Sequence, residues 1–238
     1  MNNNHPFRIG ILGCGDISRS HGEAAQAIPE INIAACCDIR AEAARSWKAQ
    51  YGCDAFYTDY RTMIREEDLD GVLIATWPNL HREHIEGCLA AGTRNILCEK
   101  ALTLTGQDAM EIHRAVHEAG AFLMEGFMYR HHPLTRKLEH LLASGELGPV
   151  DNVRACFGTF DPETESGDDV TRNWRRREEC GGGMPYDFAC YCVNACRNFA
   201  GGIPERVYCR GDISPKYNVI NRMYALIEYD TGCVGIIE

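Results

Sequence analysis

The stretch Arg8-Ile9-Gly10-Ile11-Leu12-Gly13-Cys14-Gly15-Asp16-Ile17-Ser18 decides how the rest of the chain is read. An apolar run of strand character meets two closely spaced glycines, and a helical pattern starts directly after them. A nucleotide-binding strand–turn–helix has this form. Gly13 permits the tight turn, Gly15 lets the backbone approach a pyrophosphate, and the free N–H groups at the helix start face that anion. Ser18 stands at the third glycine position and is small enough for close helix–strand packing. Short apolar strands before glycine turns are common, so the stretch needs support from the rest of the chain.

The support is an alternation of strand and helix. Strands are read at Phe7–Leu12, Ile31–Cys37, Gly71–Thr76, Asn95–Lys100 and Phe122–Phe127. Helices are read at Asp16–Ala27, Arg40–Tyr51, Leu80–Ala91 and Thr105–Ala119, with Gly52, Gly92 and Gly120 as stops. The middle strands are continuous apolar runs, as strands buried on both faces are. This order predicts an α/β fold with a doubly wound parallel sheet, which binds ligands beyond the carboxyl ends of its strands. Asp38 ends the second strand, 23 residues after Gly15, where an acid hydrogen-bonds ribose hydroxyls. The competing reading is an acid that caps the next helix. An acid here repels a 2′-phosphate and favours NAD, while Arg40 suits such a phosphate and keeps NADP open.

After Pro133 the pattern changes. A helix at Leu134–Ala143 leads to strand-like segments at Val150–Phe160, Arg206–Ile213, Val219–Tyr229 and Cys233–Ile237, with the hairpin signal Asp230-Thr231-Gly232. A Gly181-Gly182-Gly183 loop and a helix at Pro185–Phe199 lie between them. The expectation is a nucleotide-binding domain over 1–124. An α+β substrate-binding and oligomerisation domain with a mostly antiparallel, open sheet occupies 125–238.

Composition narrows the function. The net charge of −10 over 238 residues argues against nucleic acid, which needs a basic patch. Arg175-Arg176-Arg177 runs straight into Glu178-Glu179, so a solvated or self-paired loop is expected there. No apolar run approaches the ~20 residues of a membrane span, and the N-terminus carries no secretory pattern. The 13 cysteines read as reduced thiols of a cytoplasmic protein, mostly small core fillers. Cys190, Cys192 and Cys196 suggest a metal cluster at first. On a helix, however, Cys190 and Cys192 point about 200° apart, so no metal is expected.

Two constellations carry chemistry. Glu99-Lys100 is a charged pair at the carboxyl end of a central strand, where it is costly unless solvated, paired or used. Asp187 and Tyr191, four apart, share one helix face behind Pro185. The plainer reading is a core tyrosine hydrogen-bonded to Asp187.

Taken in order, Gly-Ile-Leu-Gly-Cys-Gly-Asp-Ile, the Asp38 strand end, Ala75-Thr76 with His81, Glu99-Lys100, Tyr129-Arg130 and Gly-Gly-Gly…Asp…Tyr resemble the Gfo/Idh/MocA family of NAD(P)-dependent oxidoreductases. Met124-Glu125-Gly126-Phe127-Met128-Tyr129-Arg130 and Tyr191 are similar to its branch containing glucose–fructose oxidoreductase and the dihydrodiol and xylose dehydrogenases. The likeness covers nearly the whole chain. It departs at Glu99-Lys100-Ala101, where the family has Glu-Lys-Pro, and at Thr76-Trp77-Pro78-Asn79, where the family has Thr-Pro-Asn. Many relatives also have His at the Tyr191 position. Members are usually longer, and this sequence stops at Glu238 inside a strand, so a truncated second-domain sheet is expected.

The resemblance implies hydride transfer between nicotinamide and a carbinol carbon of a sugar, polyol or related alcohol, in a homodimer or homotetramer built on the second-domain sheet. It implies cofactor contacts from Asp16 and Ile17 beside the two glycines, and from Asp38 and Arg40. Further contacts are implied from Thr76, Trp77, Asn79 and His81, and from Glu99 and Lys100. Lys100 and Tyr191 are implied as the proton-handling pair, since an adjacent ammonium favours the phenolate. Asp187 shares or orients that network, and Tyr129, Arg130, Asn173 and Arg175 are implied for substrate hydroxyls. Two alternatives are kept: a redox-neutral sugar-processing enzyme that oxidises and re-reduces within one cycle, and a non-catalytic nucleotide sensor.

Overall fold

The computed structural model of the protein describes residues 5–159 and 173–238. The chain divides into two compact units, Met1–Gly126 and Phe127–Glu238.

The first unit is a six-stranded sheet: β1 (Phe7–Leu12), β2 (Ile31–Cys37), β3 (Ala55–Tyr57), β4 (Gly71–Ile74), β5 (Asn95–Cys98) and β6 (Phe122–Glu125). Their order across the sheet is β3-β2-β1-β4-β5-β6, and every pairing is parallel. The order reverses between β1 and β4, the crevice where a doubly wound sheet receives its ligand. Helices α1 (Asp16–Gln26), α2 (Ala41–Tyr51), α3 (Tyr60–Glu66), α4 (Pro78–Ala90) and α5 (Gly106–Glu118) connect the strands.

Burial on both faces explains the apolar runs. Leu12, Cys37, Val72, Ile74, Ile85 and Ile96 pack into one core, and Ile11, Cys36, Leu73, Ala44 and Trp47 into another. Neighbouring residues of one strand thus feed different layers, and each wholly buried isoleucine contributes about 1.5–3 kcal/mol.

The short β3 and α3 add to the elements expected from sequence. Asp59 starts α3 by accepting hydrogen bonds from the Arg61 and Thr62 N–H groups. Strands β4 and β5 end earlier than expected, so Thr76, Glu99 and Lys100 sit in the loops beyond the strand ends.

After a short 3-10 turn at Met128–His131, the second unit holds α6 (Pro133–Ala143), β7 (Asn152–Ala155), α7 (Cys190–Ala200), β8 (Pro204–Ile213), β9 (Ile220–Tyr229) and β10 (Val234–Ile237). Its sheet runs β7-β10-β9-β8, antiparallel except for the β10–β7 pairing. Gly232, in the left-handed region, turns β9 into β10. Helix α7 covers one face through Cys192, Cys196 and Ala200, packed with Ile227 and Ile237. Val207, Tyr224 and Leu226 are exposed on β8 and β9. The strand read at Val150–Phe160 is shorter than expected, and Phe160 lies outside the described residues.

The helix read at Pro185–Phe199 is not regular. Pro185–Ala189 winds as a π-turn, and α7 continues from it. The Cys190 N–H reaches back five residues to the Pro185 carbonyl. The carbonyl it skips, that of Tyr186, accepts the Cys190 thiol instead at 3.3 Å. The wider turn therefore leaves no orphaned acceptor at that point.

All cysteines except Cys156, Cys190 and Cys209 are buried. Burial raises the Cys37 and Cys88 thiols to about 12, which makes them inert fillers. Among the described residues no cluster of three His, Cys, Asp or Glu is placed to hold a metal. No helix there is long and apolar enough to cross a membrane.

Candidate functional site

Within the first unit the expected residues collect at the carboxyl ends of the strands. Gly13 has φ +95°, and a Cβ there would lie 2.7 Å from the Ala75 carbonyl oxygen. That conformation and that approach both require glycine. Gly15 opens α1 with no side-chain cap, and a Cβ on it would meet nothing within 4 Å. Uncapped helix N–H groups beside an open space form a cradle that fits a pyrophosphate. Ser18 is fully buried and donates its hydroxyl to the Gly15 carbonyl at 2.6 Å, so the serine ties the turn to its helix. Asp16 and Ile17 are exposed in the first turn.

Asp38 ties the glycine turn to the entry of α2. One carboxylate oxygen accepts the Cys14 N–H at 3.0 Å, bracing the glycine turn. The other accepts the Arg40 N–H at 2.9 Å at the start of α2. The exposed Arg40 side chain pairs with the same carboxylate at 3.4 Å.

On the other side of the switch point, Trp77 is the N-cap of α4 and Pro78 its first residue, a position where the missing N–H costs nothing. Asn79 is exposed there, and Trp77 partly so. His81 has no exposed surface. Its Nδ1 lies 2.8 Å from the Ala101 carbonyl and its Nε2 3.0 Å from the Thr76 carbonyl. The two carbonyls favour a charged ring and burial disfavours it; burial dominates and lowers the pKa. His81 is thus a buried latch between two loops, not a surface contact. The Thr76 hydroxyl stands 3.0 Å from His84 Nδ1, and burial holds His84 down at about 4.

Beyond β5, Glu99 is buried and Lys100 half-buried. One oxygen of Glu99 meets His21 Nε2 of α1 at 2.7 Å, and the other accepts the Lys100 N–H at 3.2 Å. The Lys100–Ala101 peptide is cis. Glu125, at the end of β6, accepts the Leu102 N–H at 2.8 Å, and burial raises its pKa. His21 and Glu125 were not among the residues singled out from sequence. His21 borders the inward face Ser18–Gly22–Ala25 at helical spacing, a signal the sequence does carry.

In the second unit, Asp187 is buried and accepts Arg175 Nε at 2.6 Å. Arg175 also lies over the Trp174 ring, 4.7 Å from its centroid. Asn173 caps that short turn by accepting the Arg175 N–H at 3.2 Å. The self-paired reading of the arginine run holds in part: Arg177 pairs with Glu179 at 2.7 Å. Arg176 departs from it, since it is buried over Tyr217 at 4.4 Å.

Tyr191 sits among aromatic rings. Phe127, Phe157 and Tyr129 lie 5.4, 5.3 and 6.3 Å from its ring, and its hydroxyl is 3.6 Å from Met128 Sδ. Tyr129 donates to Asn194 at 2.6 Å, and Arg130 to Asn198 at 2.9 Å, which fastens both to α7.

Both units are similar to known proteins. Residues 7–127 match the model of an oxidoreductase family with an NAD-binding Rossmann fold, and residues 135–238 match the GFO/IDH/MocA C-terminal domain. D-xylose 1-dehydrogenase (NADP(+)) 2 of Haloferax volcanii is 32% identical over 97% of this chain and 68% of its own length. Trans-1,2-dihydrobenzene-1,2-diol dehydrogenase of Xenopus laevis is 29% identical over 85% of this chain. The aligned part spans 59% of that relative's length. Among solved structures, KijD10, a 3-ketoreductase from Actinomadura kijaniata in complex with NADP and TDP-benzene, superposes with a TM-score of 0.86. It is 27% identical, over 98% of this chain and 69% of that one. With both of its units matched in chain order, the protein belongs to the GFO/IDH/MocA family of oxidoreductases, and its first unit is an NAD-binding Rossmann domain.

Proposed function

We propose that the protein is an NAD(P)-dependent dehydrogenase or reductase that moves a hydride between nicotinamide and a carbinol carbon of a sugar, polyol or related alcohol. One observation carries the reading. The cradle at Gly15, the Asp38 carboxylate and the fastened Lys100 loop lie at the carboxyl ends of one parallel sheet, on both sides of its switch point. The similarity to a xylose dehydrogenase and a dihydrodiol dehydrogenase supports the substrate class.

Gly13, Gly15 and the start of α1 would hold the pyrophosphate, and Asp38 the ribose, with NAD favoured and Arg40 leaving NADP admissible. The bound nicotinamide supplies hydride chemistry. The protein's own part is placement and proton handling. Lys100 holds the substrate oxygen, and Tyr191 takes or returns the hydroxyl proton. The Arg175–Asp187 pair shifts the roles expected of these two. Arg175 orients Asp187, and Asp187 orients the substrate. Tyr129, Arg130 and Asn173 serve substrate hydroxyls in the same reading. Association into a homodimer or homotetramer uses the exposed face of β8 and β9, where Val207, Tyr224 and Leu226 are uncovered. Light scattering of Tyr224→Lys, with dissociation expected, checks that association.

The test is a panel of aldoses, polyols and dihydrodiols assayed with NAD and with NADP. Lys100→Met is expected to abolish turnover, a loss of about a thousandfold or more, while NADH still binds. Full activity in that variant would remove Lys100 from the mechanism.

A further inference from the structure

We infer that His21 is a positioning residue for Lys100, acting through Glu99. The inference rests on the reading of Lys100 as a catalytic group. The loop that carries Lys100 has main-chain groups of three successive residues held by ionisable side chains. The Lys100 N–H goes to Glu99, the Ala101 carbonyl to His81, and the Leu102 N–H to Glu125. His81 and Glu125 hold the later part of the loop. Glu99 holds the N–H of Lys100 itself.

Glu99 cannot fix its own carboxylate. It lies beyond the end of β5, and its side chain doubles back onto the next peptide N–H, a short-range contact with many competing rotamers. Two outside restraints select the observed one. Gly126 leaves room, since a Cβ there would stand 3.2 Å from Glu99 Oε1 and 3.3 Å from its Cα. His21 then anchors that same oxygen at 2.7 Å from α1, the helix that begins at the nucleotide turn. The anchored carboxylate is 9% exposed and the imidazole 23%, so the contact is shielded enough to be strong and directional. His21 therefore links the helix whose N-terminus faces the pyrophosphate cradle to the residue next after Glu99. It touches neither substrate nor cofactor in this role.

The test uses hydrogen exchange of the full chain, read at the Lys100 amide by fragmentation mass spectrometry. His21→Ala removes the anchor, and exchange at Lys100 is expected to quicken about tenfold. The Leu102 amide, held by Glu125, keeps its rate. His21→Gln places an amide nitrogen where Nε2 stood and is expected to restore the slow exchange. His21→Asn, one bond too short to reach Glu99, serves as a second breaking variant if alanine fails to fold. Turnover of the substrate identified by the panel is expected to follow exchange. The turnover number falls about tenfold in His21→Ala and recovers in His21→Gln, while NADH affinity and melting temperature stay near wild type. Unchanged exchange at Lys100 in His21→Ala and His21→Asn, or equally fast exchange in His21→Gln, would overturn the inference. Lys100→Met separates the two claims. If it keeps full activity while His21→Ala still frees the Lys100 amide, His21 positions this residue but the residue is not catalytic. If it is inactive and the amide is unmoved, the catalytic reading stands and the role of His21 falls.

Discussion

Two glycine bends, one in each unit, look alike in sequence and are built for opposite purposes. Gly13 and Gly183 both have φ +95°, and a Cβ on either would lie 2.7 Å from a carbonyl oxygen, that of Ala75 in one case and Ile220 in the other. The difference lies in the second glycine of each bend. A Cβ on Gly15 meets nothing within 4 Å, whereas one on Gly182 would run into the Arg177 and Arg175 carbonyl oxygens at 2.7 and 2.8 Å. The first bend keeps a gap that the chain does not fill. The second is filled by its own backbone, with the Gly182 and Gly183 N–H groups donating to those same two carbonyls at 2.9 Å. Its effect is to fold the 173–177 turn back so that Arg175 meets Asp187. Glycine spacing alone does not separate a site for another molecule from a site for the chain's own carbonyls.

The largest effects break the features the two bends share. Gly13→Ala combines an unfavourable left-handed residue with a backbone clash and is expected to lower stability by about 2–4 kcal/mol. Gly182→Ala has only the clash, though against main chain on three sides, and about 1–3 kcal/mol is expected. Urea unfolding at neutral pH measures both. A Gly182→Ala midpoint equal to wild type would mean the second bend has slack and is not packed as described.

Acid separates the supports of the bends. Thr76 stands beside the first bend, its methyl 3.0 Å from where a Cβ on Gly13 would lie and its hydroxyl 3.0 Å from His84 Nδ1, and burial lowers His84 from the usual 6.5 to about 4. The folded state keeps this ring neutral while the unfolded chain takes up a proton below about pH 6.5. The stabilisation from the neutral ring is complete above that pH and is lost as pH falls toward 4, to the extent of about 2 kcal/mol. Glu125 works in the opposite direction, because its raised pKa favours the folded state as it protonates. The measurement is therefore a difference: His84→Gln is expected to flatten the pH 6.5–4 slope of stability relative to wild type. The second bend is backed by Arg176 over Tyr217, and an arginine keeps its charge across this range. An equal slope in both proteins would take His84 out of the account.

The first unit was the more legible because its order comes from local pattern. Apolar runs, glycine stops and the acid ending β2 give the strands, the helices and the switch point without knowledge of any distant contact. What stayed hidden there was short or remote. Strand β3 has three residues, too few for a period to register, although Asp59 ahead of Tyr60 is a readable helix start. His21 was not singled out: it lies beside the buried stripe of α1, but its partner Glu99 is 78 residues away, and no spacing rule reaches that far. In the second unit Asp187 and Tyr191 were paired on the spacing of a regular helix, and the π-turn that contains Asp187 was not foreseen. A π-turn takes in one extra residue and rotates the side chains beyond it by about 100°, which a regular 3.6-residue period does not register, and here it is marked by a thiol on a carbonyl. Arg175 and Arg176 show the same limit. Arg177 finds its glutamate two residues on, as the run into Glu178-Glu179 suggests, whereas the aspartate of Arg175 and the tyrosine ring of Arg176 are assigned only by the tertiary fold.

The smallest expected effect tests the comparison most sharply. Gly15 is extended backbone at φ −85°, ψ −167°, a conformation open to alanine, and nothing stands within 4 Å of the added methyl. Gly15→Ala should therefore leave urea stability within about 0.5 kcal/mol of wild type, the usual size of a Gly-to-Ala change at a helix N-cap. The methyl would instead occupy the space over the α1 N-terminus, and NADH affinity, read by fluorescence titration, should fall about tenfold, equivalent to about 1.4 kcal/mol. Gly182→Ala should show the reverse, with stability lost and the first unit's nucleotide affinity kept wherever the variant remains folded. Unaltered NADH affinity in Gly15→Ala would place the pyrophosphate elsewhere and leave the gap without an occupant. The paired result, binding lost without stability at one glycine and stability lost without binding at the other, distinguishes a bend open to a ligand from one closed on itself.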